Sequence, residues 1–326
     1  MRTASLTREW VVEHVVDVDA HEGPVYVADE HALYFTTLPQ RGPLVAIKRL
    51  NLETNDVTTI LEDANGANGM TLDRDGTLLV CEQGTPTSDA RISRLDPRTG
   101  ERATVVDNWR GLVLNSPNDV VATRESAIWF TDPTYGWLQG FKPEPEIGDY
   151  VYRFLDGRLT VVADSFDKPN GLAFSPDGAV LYIGDSGANQ EVGSYYPNRP
   201  HHIKAFDVVD GHLRNERLFA VTNPGFPDGI KVASDGRVFA SAFSGIQIFD
   251  PNGDQIGEID LPGAVNFTFG RDERVLYVTA DTAIYAATAP LAAPPGGRAG
   301  FARASVQPGS AEAATSTYTR GSMKGV

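Results

Sequence analysis

One motif recurs six times along the chain, and no other feature limits the fold as strongly. The segments are EGPVYVADEHALYFTT from Glu22, NGMTLDRDGTLLVCE from Asn68, NDVVATRESAIWFTD from Asn118, NGLAFSPDGAVLYIGD from Asn170, DGIKVASDGRVFASA from Asp228 and NFTFGRDERVLYVTA from Asn266. Each opens on a polar residue, runs into an alternating strand, turns on a D-G-like pair and returns through a second strand rich in Val, Leu, Tyr or Phe. That is the pattern of a β-hairpin. Successive starts lie 46, 50, 52, 58 and 38 residues apart, room for the hairpin and two further strands. RISRLD from Arg91, YVYRFLD from Tyr150, HIKAFDV from His202 and IQIFDP from Ile246 supply examples of those outer strands. Four-stranded sheets repeated radially protect their edges by closing into a ring, so the expected fold is all-β, a six-bladed β-propeller over residues 1–288. WVVEHVV, from Trp10, is placed to complete the last blade after the hairpin that ends near Ala280.

Composition narrows the rest. With 326 residues, 41 % of them hydrophobic, the chain can bury a sizeable core. Its formal net charge is −15, so nucleic acid and anionic membrane are poor partners for lack of a basic surface. The single cysteine, Cys81, can form no intrachain disulfide and no C-x-x-C site, and its place in TLLVCE suits a small buried apolar residue. Arg8, Glu9 and Glu13 interrupt the N-terminal stretch where an export signal needs an apolar run, so a cytoplasmic location is expected. Residues 289–326 are rich in Ala, Pro, Gly, Ser and Thr, and a flexible tail is expected there. Gly136 to Gly148 and Gly187 to Pro200 read as loops between blades.

The repeat also makes a chemical statement. Its first position is Glu22, Asn68, Asn118, Asn170, Asp228 or Asn266, and all six side chains present oxygen. Asn and Asp commonly start strands because they satisfy turn backbone groups. Glu22 is not a favoured turn residue, however, and if the strands are innermost, Glu22 and Asp228 bring two negative charges into one confined space. Such repulsion calls for a cation. All-oxygen ligation suits a hard ion, Ca²⁺ first, with Mg²⁺ and Mn²⁺ next. None of the six histidines shows H-x-x-x-H or H-E-x-x-H spacing, which disfavours a histidine-type Zn²⁺ site.

The strings EGP at Glu22, NSPNDVV at Asn115, IWFTDPTYG at Ile128, KPNGLAFSPDG at Lys168, GFPDGIKV at Gly225 and LYVTADTAIY at Leu276 resemble the gluconolactonase and senescence-marker-protein (regucalcin-like) family. The resemblance runs from residue 20 to 288. It implies a six-bladed propeller with one catalytic divalent metal at the channel mouth, Ca²⁺ favoured over Mg²⁺, Mn²⁺ or Zn²⁺. The implied ligands are Glu22, Asn170 and Asp228, with Asn118 a further ligand or a contact for substrate and water. The implied activity is that of a lactonase-type hydrolase acting on a small-molecule ester or lactone. The metal would polarise the carbonyl while a carboxylate, for which Asp228 is the choice, takes the proton of the attacking water. Alternatives are a phosphotriesterase of the diisopropyl fluorophosphatase type and a non-catalytic binding propeller with a structural ion.

Asn115, Gln83, Tyr135, Trp137 and Asp185 are further candidates for the substrate pocket, with Phe226 and Phe267 behind them. A turn or packing role competes at each of Asn115, Tyr135, Trp137 and Asp185. Sugar-lactonase relatives usually carry basic residues where this chain has Leu112 and Val113, and often E-H-G where it has Glu82-Gln83-Gly84. Those departures open the pocket to an apolar or differently shaped lactone. G-x-S-x-G, G-x-G-x-x-G and the P-loop string are absent, which removes the serine nucleophile elbow, dinucleotides and phosphate-cradling loops from consideration.

Overall fold

The repeats pair as expected. The computed structural model describes residues 9–39 and 44–290. The expected tail lies outside the described residues from position 291 onward. Six antiparallel four-stranded sheets follow one another along the chain, and a short two-stranded ribbon, Asn108–Trp109 with Leu112–Val113, precedes the third. The first blade comprises Glu22–Val27, Ala32–Thr36, Ile47–Asn51 and Val57–Leu61, and the second Ala67–Leu72, Leu78–Glu82, Arg91–Leu95 and Arg102–Val106. The third is built from Val120–Ala122, Ile128–Asp132, Tyr150–Leu155 and Arg158–Ala163, and the fourth from Pro169–Phe174, Val180–Asp185, His202–Val209 and His212–Val221. Ile230–Val232, Val238–Ala242, Gly245–Phe249 and Gln255–Asp260 form the fifth.

The sixth blade closes the ring. Asn266–Phe269, Val275–Thr279 and Asp281–Thr288 come from one end of the fold, and the outermost strand is the early segment Val11–Ala20. Val11 pairs with Thr288 and Ala20 with Asp281, so residues from both ends of the propeller share one sheet. The first strands of successive blades pack on one another all the way round, the sixth against the first.

The apolar residues of each blade meet those of its neighbour, giving six cores between sheets rather than one at the centre. Val25, Tyr34 and Ile47 of the first blade, for example, pack on Met70, Leu78 and Val80 of the second. Trp129 and Val151 of the third pack on Leu172, Leu181 and Ile183 of the fourth. Cys81 is fully buried between the second and third blades with Ile92, Phe130 and Tyr152. Alternation explains the arrangement, since each strand buries one side against the blade before and the other against the blade after.

The two long loops correct the sequence reading. Both lie inside a blade, joining Asp132 to Tyr150 in the third and Asp185 to His202 in the fourth. A connection between the second and third strands of a blade falls at the end where the first strand begins, as the pairing of Glu22 with Thr36 and of Pro169 with Asp185 shows. Such loops rise around one mouth of the ring. Among the described residues, no helix is long and apolar enough to cross a membrane.

Candidate metal centre and substrate pocket

The six repeat-opening residues enter the innermost strands from one end. Glu22 and Asn266 begin their strands, Asn68 and Asn170 stand second in theirs, and Asn118 and Asp228 come two residues before theirs. In the first, second and fourth blades the inner strand holds one residue more than its partner at this point: Glu22 to Val25 spans Thr36 to Tyr34, Ala67 to Met70 spans Glu82 to Val80, and Pro169 to Leu172 spans Asp185 to Ile183. A bulge of this kind re-aims a side chain that would otherwise lie along the sheet.

Glycine after the polar residue makes the convergence possible. A Cβ on Gly171 would sit 2.1 Å from the Asp228 carbonyl oxygen, one on Gly69 2.4 Å from that of Asn118, and one on Gly23 2.6 Å from that of Asn68. Only a residue without a side chain lets the next blade's backbone come so near. Hydrogen bonds then tie blade to blade: Gly69 N–H donates to the Asn118 carbonyl at 2.7 Å, Thr36 Oγ1 to that of Asn68 at 3.1 Å, and Thr279 Oγ1 to that of His21 at 2.8 Å. Ser186 Oγ donates likewise to the Pro227 carbonyl.

Glu22, Asn118, Asn170 and Asn266 are buried, and Asn68 and Asp228 are partly buried. Asn266 Nδ2 donates to Glu22 Oε2 at 2.7 Å. Burial is the main cause of a raised Glu22 pKa, opposed by the neighbouring His21 and by the Asn266 hydrogen bond. The Asp228 carboxyl is pushed well above the usual carboxylate range, first by burial and then by the charge of Glu22; His21 and a hydrogen bond from the Asn170 side chain pull it back. Asp228 is therefore reached by the charge of Glu22 and by a hydrogen bond from Asn170, groups of two other blades. Asp119 adds a third buried carboxylate, raised by burial and held down by Lys231, whose amine lies 3.9 Å away.

Sequence reasoning passed over His21. Its Nδ1 lies 2.7 Å from Asp281 Oδ1. Burial lowers its pKa, but the Asp281 hydrogen bond and the charges of Glu22, Asp281 and Asp228 outweigh that and leave it raised. Its position immediately before Glu22 was the available signal.

Among the described residues no three His, Cys, Asp or Glu side chains come close enough to hold a metal by themselves. Amide oxygens must therefore complete any cation site here. Asn68 Oδ1, at the same repeat position, is a buried acceptor without a hydrogen-bond partner. The donor set fits a hard divalent ion.

The substrate candidates divide. Tyr135, in the short helix Tyr135–Leu138, is buried, and its hydroxyl is pushed up by burial and by the charges of Asp228, Asp185 and Asp149. The Asp185 carboxylate accepts backbone N–H groups of Lys168 at 3.0 Å, Gly187 at 3.2 Å and Asp167 at 3.1 Å, fixing the loop before Asn170. Asn115 Nδ2 donates to the carbonyls of Gly148 at 3.0 Å and Asp132 at 3.2 Å, tying the loop before Asn118 to the long loop of the third blade. Trp137 is 46 % exposed and, with Asn115, Thr134 and Lys142, lines a cavity of about 440 Å³. Gln83 is half-buried, its backbone N–H bonded to the Gly66 carbonyl at 3.0 Å. Phe267 lies in the core between the fifth and sixth blades. Phe226 is half-buried, its ring 5.3 Å from that of Phe243.

Residues 20–282 match the family model described as the SMP-30/Gluconolactonase/LRE-like region. The chain belongs to that family. It is 32 % identical over 283 residues to a gluconolactonase of Zymomonas mobilis, covering 81 % of this chain and 77 % of that protein. A lactonohydrolase of Aspergillus oryzae is 31 % identical over 287 residues, spanning 78 % of this chain and 64 % of the relative. Among solved structures, a gluconolactonase of Xanthomonas campestris superposes with a TM-score of 0.76 at 31 % identity, over 89 % of this chain and 94 % of the other. A calcium-binding regucalcin of Agrobacterium tumefaciens shares the fold, with a TM-score of 0.67 at 16 % identity over 86 % of this chain and 94 % of that one.

Proposed function

We propose that this chain is a divalent-metal-dependent lactonase, opening a cyclic ester at the mouth of the propeller. One observation carries the reading: in a family whose matched relatives are named for lactone hydrolysis, Glu22, Asn170 and Asp228 enter from separate blades at one end of the ring, where the charge of Glu22 and a hydrogen bond from Asn170 both act on the Asp228 carboxyl. Glu22, Asn170 and Asp228 would hold the ion, Ca²⁺ first, with Asn118 beside them. A divalent ion so held supplies Lewis acidity, polarising a carbonyl oxygen and lowering the pKa of water. The chain's own groups do the remainder. Asp228 accepts the proton of the attacking water. Asn170 holds the Asp228 carboxylate by hydrogen bonding, and Asn266 holds that of Glu22. Asn118 contacts substrate or water, and the Tyr135 ring walls the site near Asp228. The release of a hydroxy acid from a small lactone needs no other partner, in keeping with the chain's acidic surface.

The test is turnover of a lactone panel, followed by acid release, on protein treated with chelator and then reloaded with Ca²⁺, Mg²⁺, Mn²⁺ or Zn²⁺. Activity should vanish and return with metal. Asp228→Asn should lose roughly a thousandfold or more in kcat, since it removes a ligand and a proton acceptor together. Its fold should persist, because the substitution relieves a buried repulsion. Full turnover in chelator, or a fully active Asp228→Asn protein, would overturn the assignment.

A further inference from the structure

We propose that the mouth carries an apolar subsite, formed by Phe226, Phe243 and Tyr195, that takes an alkyl or aryl substituent of the lactone. The proposal rests on the lactonase reading and specifies its substrate. Among the described residues the aromatic side chains that are large, hydrophobic and exposed are Trp137 at 46 %, Phe243 at 45 % and Tyr196 at 40 %. All three stand in connections between second and third strands, of the third, fifth and fourth blades respectively. They therefore rise around the same mouth that Glu22, Asn170 and Asp228 occupy. A cluster of aromatic rings left partly in water offers a contact surface to an apolar partner.

The fifth-blade rings are tied to the site through the chain: Phe226 stands two residues before Asp228. The Phe243 ring lies 5.3 Å from Phe226 at 76° and 5.0 Å from Tyr195 at 59°, so three rings from two neighbouring blades pack in a row at this end of the ring. Backbone geometry holds that row in place. Gly225 adopts φ +103°, and a Cβ there would sit 2.8 Å from Phe243 Cγ, so glycine makes room for the ring. Phe243 N–H donates to the Pro224 carbonyl at 3.2 Å.

The fifth-blade part of the row is uncharged: Pro224, Gly225, Phe226, Pro227, Phe243 and Ser244 include no ionisable side chain. In the fourth-blade loop that carries Tyr195, Glu191 accepts a hydrogen bond from the Tyr196 hydroxyl at 3.2 Å and Arg199 lies over the Tyr196 ring at 5.7 Å, so both charges are engaged beside the rings. On the third-blade side, Val113 is 38 % exposed and lines the cavity beside Trp137.

The experiment compares a γ-lactone series, unsubstituted through octyl, with glucono-δ-lactone on the metal-loaded wild type, Phe243→Ala and Phe243→Leu. In the wild type kcat/KM should rise about fourfold per methylene over the first few carbons, the transfer free energy of a buried CH₂ expressed as a rate. Phe243→Ala should cost the long-chain lactones about tenfold while leaving the unsubstituted lactone and glucono-δ-lactone within about twofold, and Phe243→Leu should restore most of the loss. A flat series in the wild type, or equal loss on every substrate, would overturn the subsite. Binding of the matching 5-alkyl-2-pyrrolidinones, which resist hydrolysis, is read by calorimetry in parallel. If no lactone turns over, the lactonase reading falls; affinity that then fails to rise with alkyl length sinks the subsite as well, and affinity that does rise upholds it.

Discussion

Asp132 should make the stability of this protein fall between pH 5 and pH 8, and Asp132→Asn should remove that fall. The side chain is fully buried at the end of the third blade's second strand, and its carboxylate accepts the backbone N–H groups of Asn115 at 2.9 Å and Ser116 at 2.8 Å. Burial raises its pKa from 3.8 to about 7, the two backbone hydrogen bonds oppose the rise, the Asp149 charge adds to it and Lys142 subtracts. A group whose pKa is higher folded than unfolded binds its proton more tightly in the native state. The stability it contributes is complete below about pH 4 and is lost as pH climbs toward about 7. Three units at 1.36 kcal/mol each set a ceiling of about 4 kcal/mol, of which about 3 falls above pH 5. Asparagine stays neutral throughout, keeps one acceptor and presents an amide N–H₂ to the other donor, a penalty of about 1–3 kcal/mol at every pH. Urea unfolding of both proteins at half-unit steps from pH 5 to pH 8 separates the two effects. The gap between wild type and variant should narrow, or change sign, as pH rises, while Asp119, which is not among the groups that shift Asp132, titrates alike in both and cancels. Parallel curves would show that Asp132 is ionised at its ordinary pKa and that its burial does not govern the mouth's charge.

Two further perturbations test the architecture. Gly171→Ala should push Asp228 outward, since the new Cβ would fall 2.1 Å from its carbonyl oxygen; about 1–3 kcal/mol of stability and at least about tenfold in turnover should go together. Gly257→Ala, whose Cβ would meet Ile248 at an ordinary 3.7 Å, is the matched control and should change neither. Deleting residues 1–20 removes the outermost strand of the sixth blade and leaves Asp281–Thr288 as an unpaired edge. The truncated protein should melt well below the full chain by circular dichroism and self-associate in gel filtration, because an exposed strand edge pairs with other chains. A truncated monomer with an unchanged melting temperature would mean that the ring does not depend on this closure.

Blade number, blade order and the closing strand were legible because the repeat states them locally: a polar start, a period of two and a D-G-like turn recur whatever the tertiary context. The ring positions were legible for the same reason, since Glu22, Asn68, Asn118, Asn170, Asp228 and Asn266 hold one position in six copies of one motif. What the ring does with them was less visible. The X-Gly pairs read in sequence as strand entries, yet Gly23, Gly69 and Gly171 matter because the next blade's backbone fills the space of a side chain, a contact between residues some fifty positions apart. Asn115 stands three residues before Asn118 and Asp185 ends the fourth blade's second strand; their polar atoms hold the loops that lead to Asn118 and Asn170, and Asn115 also lines the cavity beside Trp137. Phe243 offered no signal at all, since a lone aromatic after a buried strand is ordinary until folding sets it against Phe226. The repeat thus encodes the ring and leaves the walls of its mouth to loops of unequal length, so under the proposed assignment substrate selection would change with Phe243 or Trp137 while Glu22 and Asp228 stay as they are.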